Sequence, residues 1–81
     1  MSNCLVCGSS GAENHHIKTR GSGGTDDPWN LMPLDRKCHQ EVHAIGMKRF
    51  SEKYSIVLTF LKRNGWMFTN LGGRWKLERE N

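Results

Sequence analysis

The chain has 81 residues and a net charge of +4, with 36% hydrophobic and 25% charged residues. This length fits one small domain with a thin core, because such a chain buries only about 60–65% of its unfolded surface. No apolar run approaches the ~20 residues of a membrane span, and the start carries no signal-peptide pattern. We therefore expect neither a membrane protein nor a secreted one, and we place the chain in the cytoplasm.

The charge is unevenly distributed along the chain. Residues 1–45 contain four basic and five acidic side chains, whereas residues 46–81 contain eight basic and three acidic ones. The first part thus has a net charge of −1 and the second part a net charge of +5. A basic half suggests a polyanionic partner such as nucleic acid, although a solvated basic surface remains the simpler alternative.

Short strands and turns are expected in the first part of the chain. Two cysteines around a turn, followed by glycines and serines, predict a knuckle over Cys4–Gly11. Glu13–Thr19 and Trp29–Leu34 are strand candidates. Between them, Gly21–Pro28 is so rich in glycine, aspartate and proline that we expect a loop without regular structure.

Helices are expected next. A helix is predicted over Arg36–Ala44, beginning at Asp35 or a neighbour, with Gly46 as its stop. Apolar residues then recur at helical spacing over roughly residues 48–63. This second stretch forms either one helix or two short ones, in which case Ser55 would cap the second.

A β-hairpin is expected at the end of the chain. Asn64-Gly65 ends the helical stretch, and Trp66–Thr69 and Arg74–Leu77 flank a turn that contains two glycines. The last residues, Glu78–Asn81, are expected to fray. The elements together predict an α+β fold.

All four histidines and all three cysteines lie between Cys4 and His43. His39 and His43 are four apart, so on a helix both imidazoles can reach one cation. His15 and His16 are neighbours on a predicted strand, where they point to opposite faces. One of them can complete a metal site while the other faces a substrate or the interior. The alternative is a pair of surface histidines on a polar strand.

The order of these residues resembles the HNH endonuclease family, also called the ββα-metal or His-Me finger. The resemblance covers roughly residues 4–45 and includes small bacterial and phage proteins. It rests on the motifs Cys-x-x-Cys, His-His-Ile, Gly-Gly-x-Asp-Asp, Asn-Leu and Cys-His-x-x-x-His. It implies a small ββα-metal finger with a zinc knuckle, here followed by a helix or helices and a C-terminal β-hairpin.

The resemblance also implies roles for individual residues. His16 would be the general base, and His15 a metal ligand. Asn30, nine residues before His39, would hold the loop and orient the base. His39 would be the ligand from the helix and His43 a further one. A neutral imidazole with a pKa of ~6.5 can take a proton from water at neutral pH.

The cysteines suggest a structural zinc site. Three cysteines cannot all pair, and reduced thiols that bind metal suit a cytosolic protein better than a disulfide framework. Many HNH proteins hold zinc with two Cys-x-x-Cys pairs, but here an aspartate replaces one cysteine. The predicted ligands are therefore Cys4, Cys7, Cys38 and Asp35. A missing or weakly bound zinc and a redox pair of Cys4 with Cys7 are the open alternatives.

Candidate contacts to DNA are basic side chains. Arg20 follows the histidine pair and is a candidate for a phosphate contact, although a solvated arginine explains it nearly as well. The C-terminal candidates are Lys62, Arg63, Arg74 and Lys76. Such contacts position DNA but do not specify its sequence. Trp29, Trp66 and Trp75 are expected in core or hairpin packing rather than in base stacking.

We predict a metal-dependent HNH endonuclease over residues 1–81, with the knuckle and motif in 1–45 and a basic extension in 46–81. It would nick or cut DNA in the cytoplasm of a bacterial host, leaving 3′-hydroxyl and 5′-phosphate ends. Three imidazole ligands suit Zn, Ni or Mn better than Mg, although the family also uses Mg and Mn. The alternative is a non-catalytic zinc-ribbon-like adaptor that binds DNA or protein. A larger phage packaging or recombination machine is a possible partner.

Overall fold

The computed structural model describes residues 3–79. The helices and strands follow in the order β1 (Glu13–His16), β2 (Leu31–Leu34), α1 (Arg36–Lys53), α2 (Ser55–Arg63), β3 (Trp66–Leu71) and β4 (Arg74–Arg79). β1 pairs with β2, and β3 pairs with β4, each as a two-stranded antiparallel sheet. The predicted α+β class with a ββα unit, helices and a C-terminal hairpin is confirmed. In the described range, no helix has the length and hydropathy to span a membrane.

The first two strands are shorter than predicted. β1 ends at His16 and β2 begins only at Leu31. Pro28–Asn30 forms a 3₁₀ turn, because proline at its first position fixes the backbone and donates no hydrogen bond. A second 3₁₀ turn covers Arg20–Ser22, so the expectation of no regular structure in Gly21–Pro28 is wrong at both ends of that loop. Both turns belong to the loop that connects β1 to β2.

The first helix begins and bends as its sequence predicts. Asp35 is the N-cap of α1, and its side chain accepts a hydrogen bond from the backbone N–H of Cys38 at 2.8 Å. Gly46 interrupts the helix with φ 83° and ψ 158°, a backbone conformation that side chains other than glycine rarely adopt. The predicted stop at Gly46 is therefore confirmed as a sharp break, after which α1 resumes.

The second helical stretch is divided in two, and one detail of the prediction is wrong. α1 ends at Lys53, and Tyr54 lies in extended backbone between it and α2. Tyr54, not Ser55, is the N-cap of α2, and no side chain caps this end. Ser55 is already the first helical residue, so α2 begins one residue earlier than a cap at Ser55 would require.

The terminal hairpin is longer than predicted. Its pairing runs from Leu71 opposite Arg74 at the turn to Trp66 opposite Arg79 at the open end. Glu78 and Arg79 are thus part of β4, and the prediction that they fray is wrong. Pairing with the N-terminal end of β3 holds them in the ladder. Glu80 and Asn81, the rest of that predicted tail, lie outside the described residues.

The buried core joins both parts of the chain. Its apolar members are Cys4, Met32, Leu34, Cys38, Val42, Phe50, Val57, Leu61 and Trp66. The indole N–H of Trp66 also donates to the backbone carbonyl of Trp29 at 2.7 Å, which fastens the hairpin to the loop before β2. Trp75, in contrast, is 52% exposed on the hairpin, with the Lys48 ammonium 4.4 Å from the centre of one of its rings. The loop, the helices and the hairpin therefore frame the sites described next.

Candidate active site

Three histidines converge from two elements. β1 supplies His15, and α1 supplies His39 and His43 from successive turns of one face. One nitrogen from each imidazole lies within 4.8 Å of the other two. The Nε2 atoms of His39 and His43 are 3.1 Å apart. Two nitrogens that each lie about 2.0–2.1 Å from one cation are separated by about 3 Å, so this donor set fits a divalent metal.

The charge state of this histidine cluster also suits a metal. Burial lowers the pKa of His15 to about 4, with a further contribution from the neighbouring His39 and His43 imidazoles. His15 is therefore neutral at pH 7 and keeps a lone pair for a cation. Metal binding requires neutral imidazoles, so proton release opposes it less at this position.

Glu13 is a member of this site that the sequence reading missed. Its Oε2 lies 3.6 Å from Nδ1 of His39, and its Oε1 lies 3.7 Å from Nε of Arg36. Carboxylates near the second nitrogen of a metal-binding histidine orient the ring. The available signal was strand alternation, because Glu13 and His15 are two apart and share a face of β1.

His16 has different surroundings from His15. Its Nε2 is 2.7 Å from Oδ1 of Asp26, and Arg20 donates through Nη2 to Oδ2 of the same carboxylate at 2.7 Å. The bond with His16, followed by the bond with Arg20, lowers the pKa of Asp26. The ionised Asp26 carboxylate accepts a hydrogen bond from the Nε2–H of His16, so Nδ1 of His16 keeps the lone pair. Among residues 3–79, Nδ1 has no hydrogen-bond partner.

Asp26 is the second residue that the sequence reading missed, and it also pairs with Arg20, the candidate phosphate contact. The pattern Gly-Gly-Thr-Asp-Asp held a signal, since an acidic pair in the loop after a histidine can supply an acceptor. Which of the two aspartates reaches His16 depends on the path of the loop. Arg20 is a partner of Asp26 in this structure rather than an unengaged cation.

Asn30 holds the two sides of the loop together. Its side chain is fully buried. Its Oδ1 accepts from the backbone N–H of Lys18 at 2.8 Å, and its Nδ2 donates to the carbonyls of Lys18 at 3.0 Å and Thr25 at 2.8 Å. At Gly24, a Cβ atom would lie 1.8 Å from the carbonyl oxygen of Lys18. The amide of Asn30 therefore bonds to both sides of the loop, and a side chain at position 24 would clash with the backbone of Lys18.

The second cluster contains the three cysteines and Asp35. One donor atom from each of Cys4, Cys7, Asp35 and Cys38 lies within 4.8 Å of all the others. The three thiols are free of disulfide bonds, and Cys4 and Cys38 are buried. Three sulfurs and one carboxylate oxygen make a four-donor set that zinc accepts in tetrahedral geometry. The set therefore fits zinc.

Asp35 has two functions in this cysteine cluster. Oδ1 caps α1 through Cys38, while Oδ2 accepts from the Cys7 thiol and the Ser9 hydroxyl, each at 2.8 Å. The Cys7 thiol, then the backbone N–H of Cys38 and the Ser9 hydroxyl, lower the pKa of Asp35. The carboxylate is thus ionised and has one oxygen directed toward the thiols. The sequence left capping and metal binding as alternatives, but the geometry is compatible with both at once.

The two buried thiols differ in their readiness to ionise. Burial raises the pKa of Cys38, and Asp35 and Cys4 raise it further. Burial also acts to raise the pKa of Cys4, but bonds from backbone N–H groups, including that of Cys7, outweigh it and lower the pKa overall. Of these two buried thiols, Cys4 is therefore the one more disposed to become a thiolate, and Cys38 would lose its proton mainly to a cation.

The remaining basic candidates are spread over the second part of the chain. Each is exposed, and within the described residues none has a carboxylate partner within 4.0 Å: Lys62, Arg63, Arg74 and Lys76. Lys62 and Arg63 end α2, whereas Arg74 lies beside the hairpin turn. Lys76 shares a groove with Lys18. The four side chains thus come from two elements, the end of α2 and the strand β4.

A known protein family matches the segment that contains both clusters. The family model described as HNH endonuclease matches residues 4–44. This match includes about half of the chain, with all cysteines and histidines of the two clusters. No curated protein and no solved structure matches the chain. The match to the family model, together with the ββα unit that carries the histidines, establishes that the chain belongs to the HNH endonuclease family.

Proposed function

We propose that this protein is a metal-dependent endonuclease that hydrolyses phosphodiester bonds of DNA, with His16 as general base. One observation carries the proposal: two neighbouring histidines of β1 have different partners. His15 lies with two imidazoles of α1, whereas Nε2 of His16 lies against Asp26. A nuclease needs both a set of metal ligands and a separate base, and adjacent strand residues can supply them on opposite faces.

The chemistry of the base follows from its tautomer. The Asp26 carboxylate holds the proton on Nε2 of His16, so Nδ1 accepts a proton from a water molecule. The Asp26 carboxylate, 2.7 Å from Nε2, also fixes the orientation of the His16 ring. Arg20 keeps the Asp26 carboxylate in place through its second oxygen. Asn30 fixes the loop that connects these groups.

His15, His39 and His43 would hold the catalytic metal. A divalent cation bound there would act as a Lewis acid toward the phosphate oxygens and offset charge that develops during hydrolysis. The all-nitrogen donor set favours Zn, Ni or Mn over Mg. Cys4, Cys7, Cys38 and Asp35 would hold a separate structural zinc, so that the sequence as a whole acts as one nuclease domain.

The test is incubation of purified protein with supercoiled plasmid, a panel of divalent metals and an EDTA control. The wild type should nick or linearise plasmid only with metal. His16→Ala should lose activity by about 10²–10⁴-fold, the usual contribution of a general base, while its metal content and melting temperature stay close to wild type. Asn14→Ala, an exposed neighbour on the same strand, is the matched control and should retain activity.

Two results would contradict the proposal. If His16→Ala cut plasmid at the wild-type rate, His16 would not be the base and His15 would become the candidate. If the wild type failed to cut plasmid with every metal of the panel, the alternative of a non-catalytic zinc-ribbon-like adaptor would replace the nuclease proposal. The same gel separates nicking from double-strand cleavage.

A further inference from the structure

A groove lies between the loop that follows β1 and the last strand of the hairpin. Ile17 and Lys18 line the wall formed by the loop, Lys76 and Arg79 line the wall formed by β4, and Trp29 also lines the groove. Lys76 shares one face of β4 with Glu78, and Arg79 lies on the other face. Its volume is about 760 Å³, which falls within the range of about 300–1,000 Å³ for ligand clefts. The hairpin wall comes from residues beyond the family match at 4–44.

The charges in this groove are not neutralised. Lys18 and Lys76 are exposed, and no carboxylate within residues 3–79 lies within 4.0 Å of either ammonium. Basic side chains elsewhere do have acidic partners: Arg20, Arg36, Lys48 and Lys53. Glu78 is the one acidic side chain among the described groove residues. The groove therefore combines several cations with a single anion.

One aromatic ring of the groove packs against an arginine. The Arg79 guanidinium carbon is 3.9 Å from the centre of a Trp29 ring, and Nε of Arg79 donates to the carbonyl of Asn64 at 2.8 Å. The terminal nitrogens of this guanidinium form no hydrogen bond to residues 3–79. The Trp29 ring thus holds a guanidinium whose terminal nitrogens are available for a further hydrogen-bond acceptor such as a phosphate.

The groove begins one residue after the candidate base in the chain, at Ile17. Lys18 is two residues after His16, and Asn30 holds both the backbone N–H and the carbonyl of Lys18. The position of the Lys18 backbone is thus tied to the same loop that carries Asp26. A strand whose phosphate reacts at His16 would continue past Lys18 toward β4.

We infer that this groove binds the phosphodiester backbone of the DNA strand beside the cleaved bond, with Lys18 and Lys76 contacting phosphates from opposite walls. The inference rests on the proposed nuclease function and adds the hairpin to the substrate-binding surface. Each phosphate contact releases counterions from duplex DNA, so the logarithm of the binding constant falls with the logarithm of salt concentration, with a slope of about −0.9 per contact.

The experiment measures binding of a short fluorescent DNA duplex by anisotropy over a series of salt concentrations. All proteins carry His16→Ala, which prevents cleavage. Lys18→Gln and Lys76→Gln should each reduce the magnitude of the slope by about 0.9, and the double variant by about 1.8. The matched control Arg49→Gln, an exposed charge on α1 outside this groove, should leave the slope unchanged. Lys18→Arg and Lys76→Arg should do so too, because they keep the charge.

The outcomes separate this inference from the proposed function. If the parent protein binds duplex but the double lysine variant keeps its slope, the groove inference is wrong while the nuclease proposal stands. An equal loss of slope in Arg49→Gln also overturns it, since binding would then depend on net charge alone. If the parent binds no DNA and the wild type cuts none, the nuclease proposal fails and the groove inference fails with it.

Discussion

The two clusters of candidate metal ligands share α1 but differ in how closed they are. The cysteine cluster offers four donors, with two thiols buried, whereas the histidine cluster offers three donors, with His43 exposed. Structural zinc sites have a full tetrahedral set of protein ligands, while catalytic sites keep a position for water or substrate. The contrast therefore supports the proposal that the cysteine cluster holds a structural metal and the histidine cluster a catalytic one.

The two clusters meet at neighbouring residues of one helix. Cys38 belongs to the cysteine cluster and His39 to the histidine cluster. Successive residues of an α-helix point about 100° apart, since a turn has 3.6 residues, so one helix can serve two sites. The Asp35 cap at the start of α1 ties this helix to the knuckle. A metal held by the cysteines would thus also fix the orientation of His39.

The largest effect is expected when the cysteine cluster is disrupted. Purified protein should contain about one tightly held zinc per chain, the stoichiometry of such sites. Cys4→Ser and Cys38→Ser should each lose this zinc and lower the melting temperature sharply, because zinc binding in small domains contributes about 10–16 kcal/mol to folding. Circular dichroism melts and elemental analysis provide the measurement, with His43→Ala as a folded control. A zinc-free protein that melts at the same temperature as the purified one would exclude a structural zinc.

The next largest effect is expected when the histidine cluster is disrupted. His39→Ala should weaken metal binding and plasmid cleavage together by more than about 100-fold, because changes in outer partners alone cost about 10–100-fold. His43→Ala should have a smaller effect, since this side chain is more exposed, and Glu13→Gln should cost about tenfold. Metal titration by calorimetry on protein that retains its structural zinc measures the affinities. Equal affinity in His39→Ala and wild type would remove His39 from the ligand set.

A smaller effect distinguishes the two functions of Asp35. Asparagine caps helices about as well as aspartate, so Asp35→Asn should keep α1 capped. The change removes the carboxylate that lies beside the Cys7 thiol, and zinc should transfer faster to a competing chelator. Asp35→Ser is the comparison, because serine also caps but is too short to replace the ligand. Unchanged zinc retention in Asp35→Asn would mean that Asp35 only caps α1. The substitution would then lower the stability of the fold by about a fraction of a kcal/mol.

The smallest effect is a pH dependence of the free energy of unfolding that arises from the histidine cluster. Burial lowers the folded-state pKa of His15 to about 4, below the ~6.5 of an unfolded chain. Between these values the unfolded state binds more protons, so stability rises with pH there and is lost as pH falls from about 6.5 to 4. With allowance for partial exposure, the loss is on the order of 1 kcal/mol.

Urea unfolding at a series of pH values, with the histidine cluster free of metal, measures this dependence. His15→Asn should give a flatter profile than wild type, because it removes the titrating group. An identical slope in both proteins would mean that His15 is not protonated on unfolding in this range. His39→Asn is the control for a change within the same cluster.

Local geometry made much of the fold and of the two clusters predictable. The four-residue spacing of His39 and His43 and the alternation of His15 and His16 depend only on the regular geometry of a helix and a strand. The break at Gly46 follows from the backbone freedom of glycine, and the cap at Asp35 from its side-chain oxygen, which accepts a hydrogen bond from the backbone N–H of Cys38. Strand ends were less accurate, since Asn30 pairs with Lys18 through its side chain and stops the ladder early.

Contacts between distant segments were decided by the tertiary structure alone. Asp26 reaches His16 only because Asn30 and Gly24 close the loop in one particular path. The groove that joins Lys18 to Lys76 exists because the Trp66 indole fastens the hairpin to the backbone beside Trp29. Such contacts depend on loop closure and packing between residues far apart in sequence, which no local period or motif encodes.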